Sequence, residues 1–169
     1  MSSDNFLGDA MMATNTDKIL TLERFLPYQL SVSSNKISGF FADIYQDKFA
    51  LSITQWRIMA ILGEYPGSSA DDVSNKTQIE KSILSRAINK LLHRHLIQRV
   101  FCESDKRRSM LSLTDTGMDV YSEVVPLSYQ YEQQLLDCFN LEERAQFNLL
   151  LEKLYQHTDS LQQKSNSST

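Results

Sequence analysis

From Pro27 onward, apolar side chains return at spacings of three, four and seven residues (Leu30, Ile37, Phe40, Phe41, Ile44, Phe49). That period predicts one long amphipathic helix to about Lys48, with Pro27 in the first turn, where a missing amide hydrogen costs nothing. A second helix is expected from Ile53-Thr54, with Thr54 as its cap, Ile53 stapled against Ile58, and Trp56, Met59 and Leu62 as its buried stripe; Pro66-Gly67 stops it. Ser69 and Asp72 have capping-box spacing and announce a short third helix with Val73 inward. Thr77-Gln78-Ile79 reads as a turn before a fourth helix from about Glu80 to His95.

Two short runs, Gln98 to Cys102 and Ser109 to Leu113, flank a charged segment and predict a β-hairpin tipped with Asp105-Lys106-Arg107-Arg108. Thr114 caps a fifth helix carrying Val120, Val124, Leu127, Tyr131, Leu135 and Phe139, seven-residue steps that suggest a packing seam, with a kink expected at Pro126. Asn140 and Glu143 begin a sixth, striped by Phe147, Leu150, Leu151, Leu154 and Leu161. The fold class is therefore mainly α with a small β-hairpin. The chain divides into an arm at 1–20 expected to be disordered, a helix within 21–50, a helical lobe with hairpin at 51–117, further helices at 118–162, and a flexible tail at 163–169.

Charge sharpens this picture. Lys76 to Arg108 holds nine basic residues against three acidic ones, a net of +6, while the rest carries eight against eighteen, leaving −4 for the whole chain. A sequence-blind nucleic-acid coat wants positive charge over most of its surface, so a local basic island on an acidic protein fits directed binding. A helix followed by a basic hairpin is the winged helix-turn-helix arrangement, with a helix for the major groove and a β-tip for the backbone or minor groove. A solvated charged face is the plainer alternative.

On the fourth helix, 100° per residue places Leu84, Ile88, Leu91 and His95 on one side and Ser82, Arg86, Asn89 and His93 on the other, with Lys81, Ser85 and Lys90 flanking. Arg can bridge two guanine acceptors, Asn can pair with adenine, and Ser can reach phosphates or base edges. In the hairpin, Asp105 stands two residues before Arg107, close enough to orient a guanidinium suited to a narrow A·T-rich minor groove, with Arg108 beside it. A local turn-stabilising ion pair is the alternative, and the two roles are compatible.

The runs Leu51-Ser52-Ile53-Thr54-Gln55-Trp56-Arg57-Ile58, Ser82-Ile83-Leu84-Ser85-Arg86, Leu96-Ile97-Gln98-Arg99, Asp105-Lys106-Arg107-Arg108 and Leu113-Thr114-Asp115-Thr116-Gly117 strongly resemble the MarR family of bacterial transcriptional regulators. The similarity extends from about Leu26 to Leu161, and one departure stands out: the Gly usual before Leu-Ile at the recognition helix's exit is His95. The resemblance implies a homodimer, interlocked through helices one, five and six, whose two winged lobes bind a pseudo-palindromic double-stranded DNA operator, as a repressor. It also implies a small effector in the crevice between dimer helices and DNA lobe, lined by Tyr28, Ser31, Asn35, Ser38, Trp56, Arg57 and Met59. That mixture of aromatic surface and polar donors suits an aromatic carboxylate or its coenzyme A thioester (an acyl-CoA).

Other chemistries find less support. The three histidines and two cysteines lack zinc-site spacing, so no metal and no cofactor are expected. Nucleophile motifs and phosphate loops are missing, and the chain reads as a non-enzyme. Cys102 and Cys138 read as packing residues, with redox sensing at Cys138 as the alternative to ligand control. A winged helix kept only for protein interaction would have no need of Arg86, Lys90 and Arg107. No apolar run approaches about 18 residues, and the beginning of the chain lacks signal-peptide character, which leads to a cytoplasmic expectation without membrane association.

Overall fold

In the computed structural model, residues 19–102 and 105–167 are described, the side chains of 101–108 excepted. After a 3-10 turn at Leu22–Arg24, the elements are α1 (Leu26–Phe49), α2 (Ile53–Glu64), β1 (Ser68–Ser69), α3 (Ala70–Thr77), α4 (Lys81–His93), β2 (Ile97–Cys102), β3 (Asp105–Leu113), α5 (Asp115–Leu136) and α6 (Leu141–Asn166). The chain divides into two units, Met1–Phe40 and Phe41–Thr169. The first contains the opening turns of α1 and a hydrogen bond from the Gln29 side-chain amide to the Glu23 carbonyl (2.6 Å). All but the last two residues of the expected N-terminal arm lie outside the described residues.

Helix boundaries in the second unit follow local chemistry. Reciprocal capping boxes start α3 (Ser69 with Asp72) and α6 (Asn140 with Glu143), as their spacing predicts. For α2 the expected cap is corrected. Ser52 accepts from the Gln55 amide and Gln55 returns a bond to Ser52, so the helix begins at Ile53 and Thr54 lies inside it. The Ser-x-x-Gln pair closes two orphan donors where Thr54 offers one hydroxyl, and the box wins.

The end of α4 shows how this chain manages without glycine. His95 takes a left-handed backbone (φ 55°). Its amide donates to the Leu92 carbonyl (3.0 Å) and the Leu96 amide to the Leu91 carbonyl (3.0 Å), the two bonds of a Schellman closure, with Leu91 and Leu96 both buried. Histidine is among the side chains that tolerate this region best. His95 is consequently exposed and past the helix end, not on its apolar side.

The core of this unit gathers Leu51, Ile58, Met59 and Leu62 around Val73, Leu84, Ile88 and Leu91, with Ile97 and Leu111 from the sheet and Val124 from α5. The sheet has the order β1-β3-β2, all antiparallel; β1 is a strand that periodicity could not reveal, being two residues long. Its partner contacts are Ser68 with Leu111 and Ser69 with Met110. Gly117, in the first turn of α5, is sterically required, because a Cβ there would sit 1.8 Å from the Leu96 carbonyl oxygen.

Two further boundaries differ from expectation. Helix α5 stops at Leu136, and Phe139, expected on its seam, instead stacks on Phe147 of α6 with ring centroids 5.6 Å apart. Helix α6 continues to Asn166 through the start of the expected flexible tail, since the polar run contains no Gly or Pro and Gln163 bonds back to Asp159 (3.1 Å).

Candidate nucleic-acid interface and effector groove

Helix α4 buries Leu84, Ala87, Ile88 and Leu91 and exposes Lys81, Ser82, Ser85, Arg86, Asn89 and Lys90. All six side chains expected to face DNA therefore share one solvent-facing surface. They are not equally free. Lys81 pairs with Asp71 of α3 (3.2 Å), and the Arg86 Nε donates to the Ser82 carbonyl one turn back (3.3 Å).

Glu80 organises the helix's N-terminus. Its carboxylate accepts from the amides of Ser82 (2.9 Å) and Ile83 (3.2 Å) and also from the Ser82 hydroxyl. These bonds, chiefly those from Ser82, hold its carboxyl below the usual carboxylate range. The Ser82 hydroxyl is thus already committed as a donor. Ile83, absent from the sequence-derived set, is 45 % exposed beside it. A helical wheel places it at the edge of the polar face, where an apolar side chain can meet a thymine methyl.

The hairpin supplies the second half of the surface. Ile97 pairs with Leu113, Arg99 with Leu111 and Cys102 with Asp105, with a register shift between Phe101 and Cys102. Asp105, Lys106, Arg107 and Arg108 thus belong to the returning strand β3, not to the turn itself. The expected contact between the Asp105 and Arg107 side chains lies outside the described residues, as does Cys102's side chain.

A groove of about 450 Å³ opens between α2 and α5, its walls formed by Phe41, Trp56, Tyr121 and Tyr129 with Ser128, and by Glu64 and Glu132. Trp56 stacks at a tilt between Tyr45 (5.4 Å) and Tyr121 (5.8 Å). Behind it the Tyr45 hydroxyl meets Ser128 Oγ at 3.2 Å; since Ser128 donates to the Val124 carbonyl (3.0 Å), the phenol is the donor, and burial pushes its pKa up.

Of the expected effector residues on α2, only Trp56 lines this groove. Met59 is 0 % exposed and belongs to the core, the outcome of a stripe shared with Ile58 and Leu62. Arg57 is exposed but is not among the lining residues. Tyr28, Ser31, Asn35 and Ser38 follow one another at helical spacing along α1, with all but half-buried Ser38 exposed. Phe41, Tyr121 and Tyr129 line the groove without having been expected there; the α5 pair is visible as aromatics recurring at helical spacing on that helix. Cys138, expected in the dimer helix, lies in the connection after α5, is exposed, and sits 3.6 Å from the Leu135 carbonyl. Among the described residues no His, Cys, Asp and Glu group could hold a metal ion, and no helix is long and apolar enough to cross a membrane.

Residues 51–109, the lobe carrying α2 to β3, match the MarR family model. The HTH-type transcriptional regulator BilQ of Clostridium symbiosum is 27 % identical over 107 residues, covering 63 % of this chain and 74 % of that protein. The crystal structure of a MarR/EmrR family transcriptional regulator from Acinetobacter sp. ADP1 superposes with a TM-score of 0.77 at 28 % identity, over 83 % of this chain and 99 % of the other. The lobe at residues 51–109 is thus of the MarR family, and the chain shares the fold of that family's regulators. It is a DNA-binding transcriptional regulator of that family, not an enzyme. A further MarR-fold neighbour is BpsR of Bordetella bronchiseptica (TM-score 0.71, 24 % identity, 77 % of this chain and 98 % of that one), whose DNA binding is regulated by 6-hydroxynicotinic acid.

Proposed function

We propose that this MarR-family regulator is a homodimeric repressor that holds a pseudo-palindromic operator with two α4 helices and two wings, and that a small aromatic effector releases it. The observation that carries the dimer is α6: none of its residues is buried within one chain, although Phe147, Leu149, Leu150, Leu151, Tyr155 and Leu161 are all exposed. An apolar surface of that extent wants a partner, and a second copy covers it by symmetry.

The aromatic walls of the α2–α5 groove support an aromatic effector, and an aromatic acid or its coenzyme A thioester remains the class we favour. The groove's own charges are carboxylates, Glu64 and Glu132, both exposed. Against an anion, each costs about 1 kcal/mol or less in high dielectric. They orient an acid with its ring on Trp56 and its carboxylate turned away from them. The family's regulation by a small acid in BpsR is consistent with that chemistry.

The test is an operator titration with and without a panel of aromatic acids, their thioesters and oxidants, alongside sedimentation of the full chain and of a chain ending at Asn140. A dimer that loses operator affinity with an aromatic acid, and a truncated chain that aggregates or loses DNA binding, support the proposal. A soluble, folded monomer from the truncated chain contradicts the dimer. A response to oxidant alone, abolished in Cys138→Ser, replaces ligand control by redox control.

A further inference from the structure

Residues 94–96, where the recognition helix ends, are bonded to two other helices. The Arg94 guanidinium donates to the carbonyl of Ala50 (2.7 Å) and to that of Phe49 (2.9 Å). Phe49 is the last residue of α1, and Ala50 follows it in a left-handed backbone (φ 50°). A helix's terminal carbonyls are orphan acceptors at the negative end of its dipole, and a planar, permanently charged fork spans two of them as a single lysine amine cannot. On the other side, the His95 carbonyl takes the Thr114 hydroxyl (2.6 Å) and the Leu96 carbonyl takes the Thr114 amide (3.2 Å), at the start of α5. Gly117 closes against that same Leu96 carbonyl, leaving no room for a Cβ.

We infer that Arg94 is a positioning residue that locks the recognition helix to the end of α1 and thereby sets the distance between the two half-sites the dimer accepts. The α5 side of the junction is held by main-chain packing and one threonine. The α1 side is held by the Arg94 side chain, through its two hydrogen bonds to the Phe49 and Ala50 carbonyls. Arg94 counts toward the basic island by charge, yet its donors are turned to carbonyls. It is therefore a cation of the interface region that does not serve a phosphate. A dimer reading half-sites about one helical turn apart depends on how rigidly each α4 is held to the dimer helices. The inference rests on the dimeric operator reading given above.

The experiment measures affinity of the full-length protein for its operator and for the same operator with the central spacer lengthened or shortened by one base pair, at several salt concentrations. Wild type, Arg94→Gln, Arg94→Lys and Lys90→Gln are compared. Arg94→Gln is expected to reduce the preference for the native spacer at least threefold while leaving the salt slope of wild type unchanged; Arg94→Lys, with one donor group for two carbonyls, falls between. Lys90→Gln is expected to do the reverse, flattening the slope and keeping the spacer preference. If Arg94→Gln keeps the preference and flattens the slope by about one counterion, Arg94 is a phosphate contact and the inference is overturned. If preference and slope both stay at wild-type values, in Arg94→Gln and in Arg94→Lys alike, the clamp does not position α4. If wild type shows no spacer preference at all, the dimeric operator reading has failed and takes the inference with it. A thermal melt of each variant separates loss of fold from loss of positioning, and should Arg94→Gln not fold, the Arg94→Lys comparison decides.

Discussion

The Thr114 hydroxyl donates to the His95 carbonyl at 2.6 Å and at the same time accepts the Gly117 amide at 3.0 Å, so one side chain caps α5 and closes the exit of α4. Thr114→Ala removes both bonds and is expected to cost about 1 to 2 kcal/mol, the upper range of a lost N-cap; Thr114→Ser restores most of it. His95→Gly has the opposite sign. It relieves a left-handed histidine and is expected to add about 0.5 to 1 kcal/mol. Urea unfolding of the three variants checks both signs; an unchanged midpoint for Thr114→Ala contradicts the shared-cap account.

Arg86 and Asn89 stand in the middle of α4's exposed face, and Lys90 at its flank. Arg86→Ala is expected to lose about 1 to 3 kcal/mol on the cognate operator and to relax preference at one base position. The Arg86 side chain is bonded to its own helix, at the Ser82 carbonyl, a bond that base contact would have to replace. Titrations on operator and single-base variants decide the matter, and unaltered operator affinity contradicts the groove assignment.

Arg107 lies on β3, just past the wing's turn. Arg107→Ala is expected to lose more affinity on half-sites with A·T-rich flanks than with G·C-rich ones, because the narrow minor groove of the former concentrates negative potential. Equal losses on both make it a backbone contact.

Glu80 gives the recognition helix a pH dependence. Its folded-state pKa lies below the ordinary carboxylate value, so its contribution is fully present above that value and is lost as pH falls through the depressed one. Glu80→Gln should be less stable than wild type near neutrality, with the gap closing below about pH 4. Unfolding midpoints of both proteins from about pH 3 to 7 test this, and a gap independent of pH shows that the carboxylate charge is not what caps α4.

Much of this was legible in the chain. Capping pairs such as Ser69 with Asp72 and Asn140 with Glu143 are local chemistry at fixed spacing, and helix and cap agree because both depend on the same four residues. The polar face of α4 follows from 3.6 residues per turn in the same way. One local pair runs against expectation: Ser52 with Gln55 stands at the same capping-box spacing and displaces Thr54 because Gln55 can reciprocate. The other failures were decided across elements. Met59, placed by its period on the buried stripe of α2, is also expected in the effector crevice; it is core, on a helix packed against α3, α4, α5 and β3. Arg94 counts in the basic island by charge, whereas its donors go to carbonyls more than forty residues away, which no local pattern announces.

Trp56 is the single tryptophan of the chain, and it forms part of the wall of the α2–α5 groove. The protein therefore carries its own optical probe at the place where an aromatic guest would stack, with two tyrosine rings close enough to pass excitation to it. Emission excited at wavelengths beyond tyrosine absorption arises from that one indole, so quenching or a colour shift titrates the groove directly. Labelled operator followed by anisotropy in the visible reports the other surface, and occupancy of the two can be read separately in one cuvette.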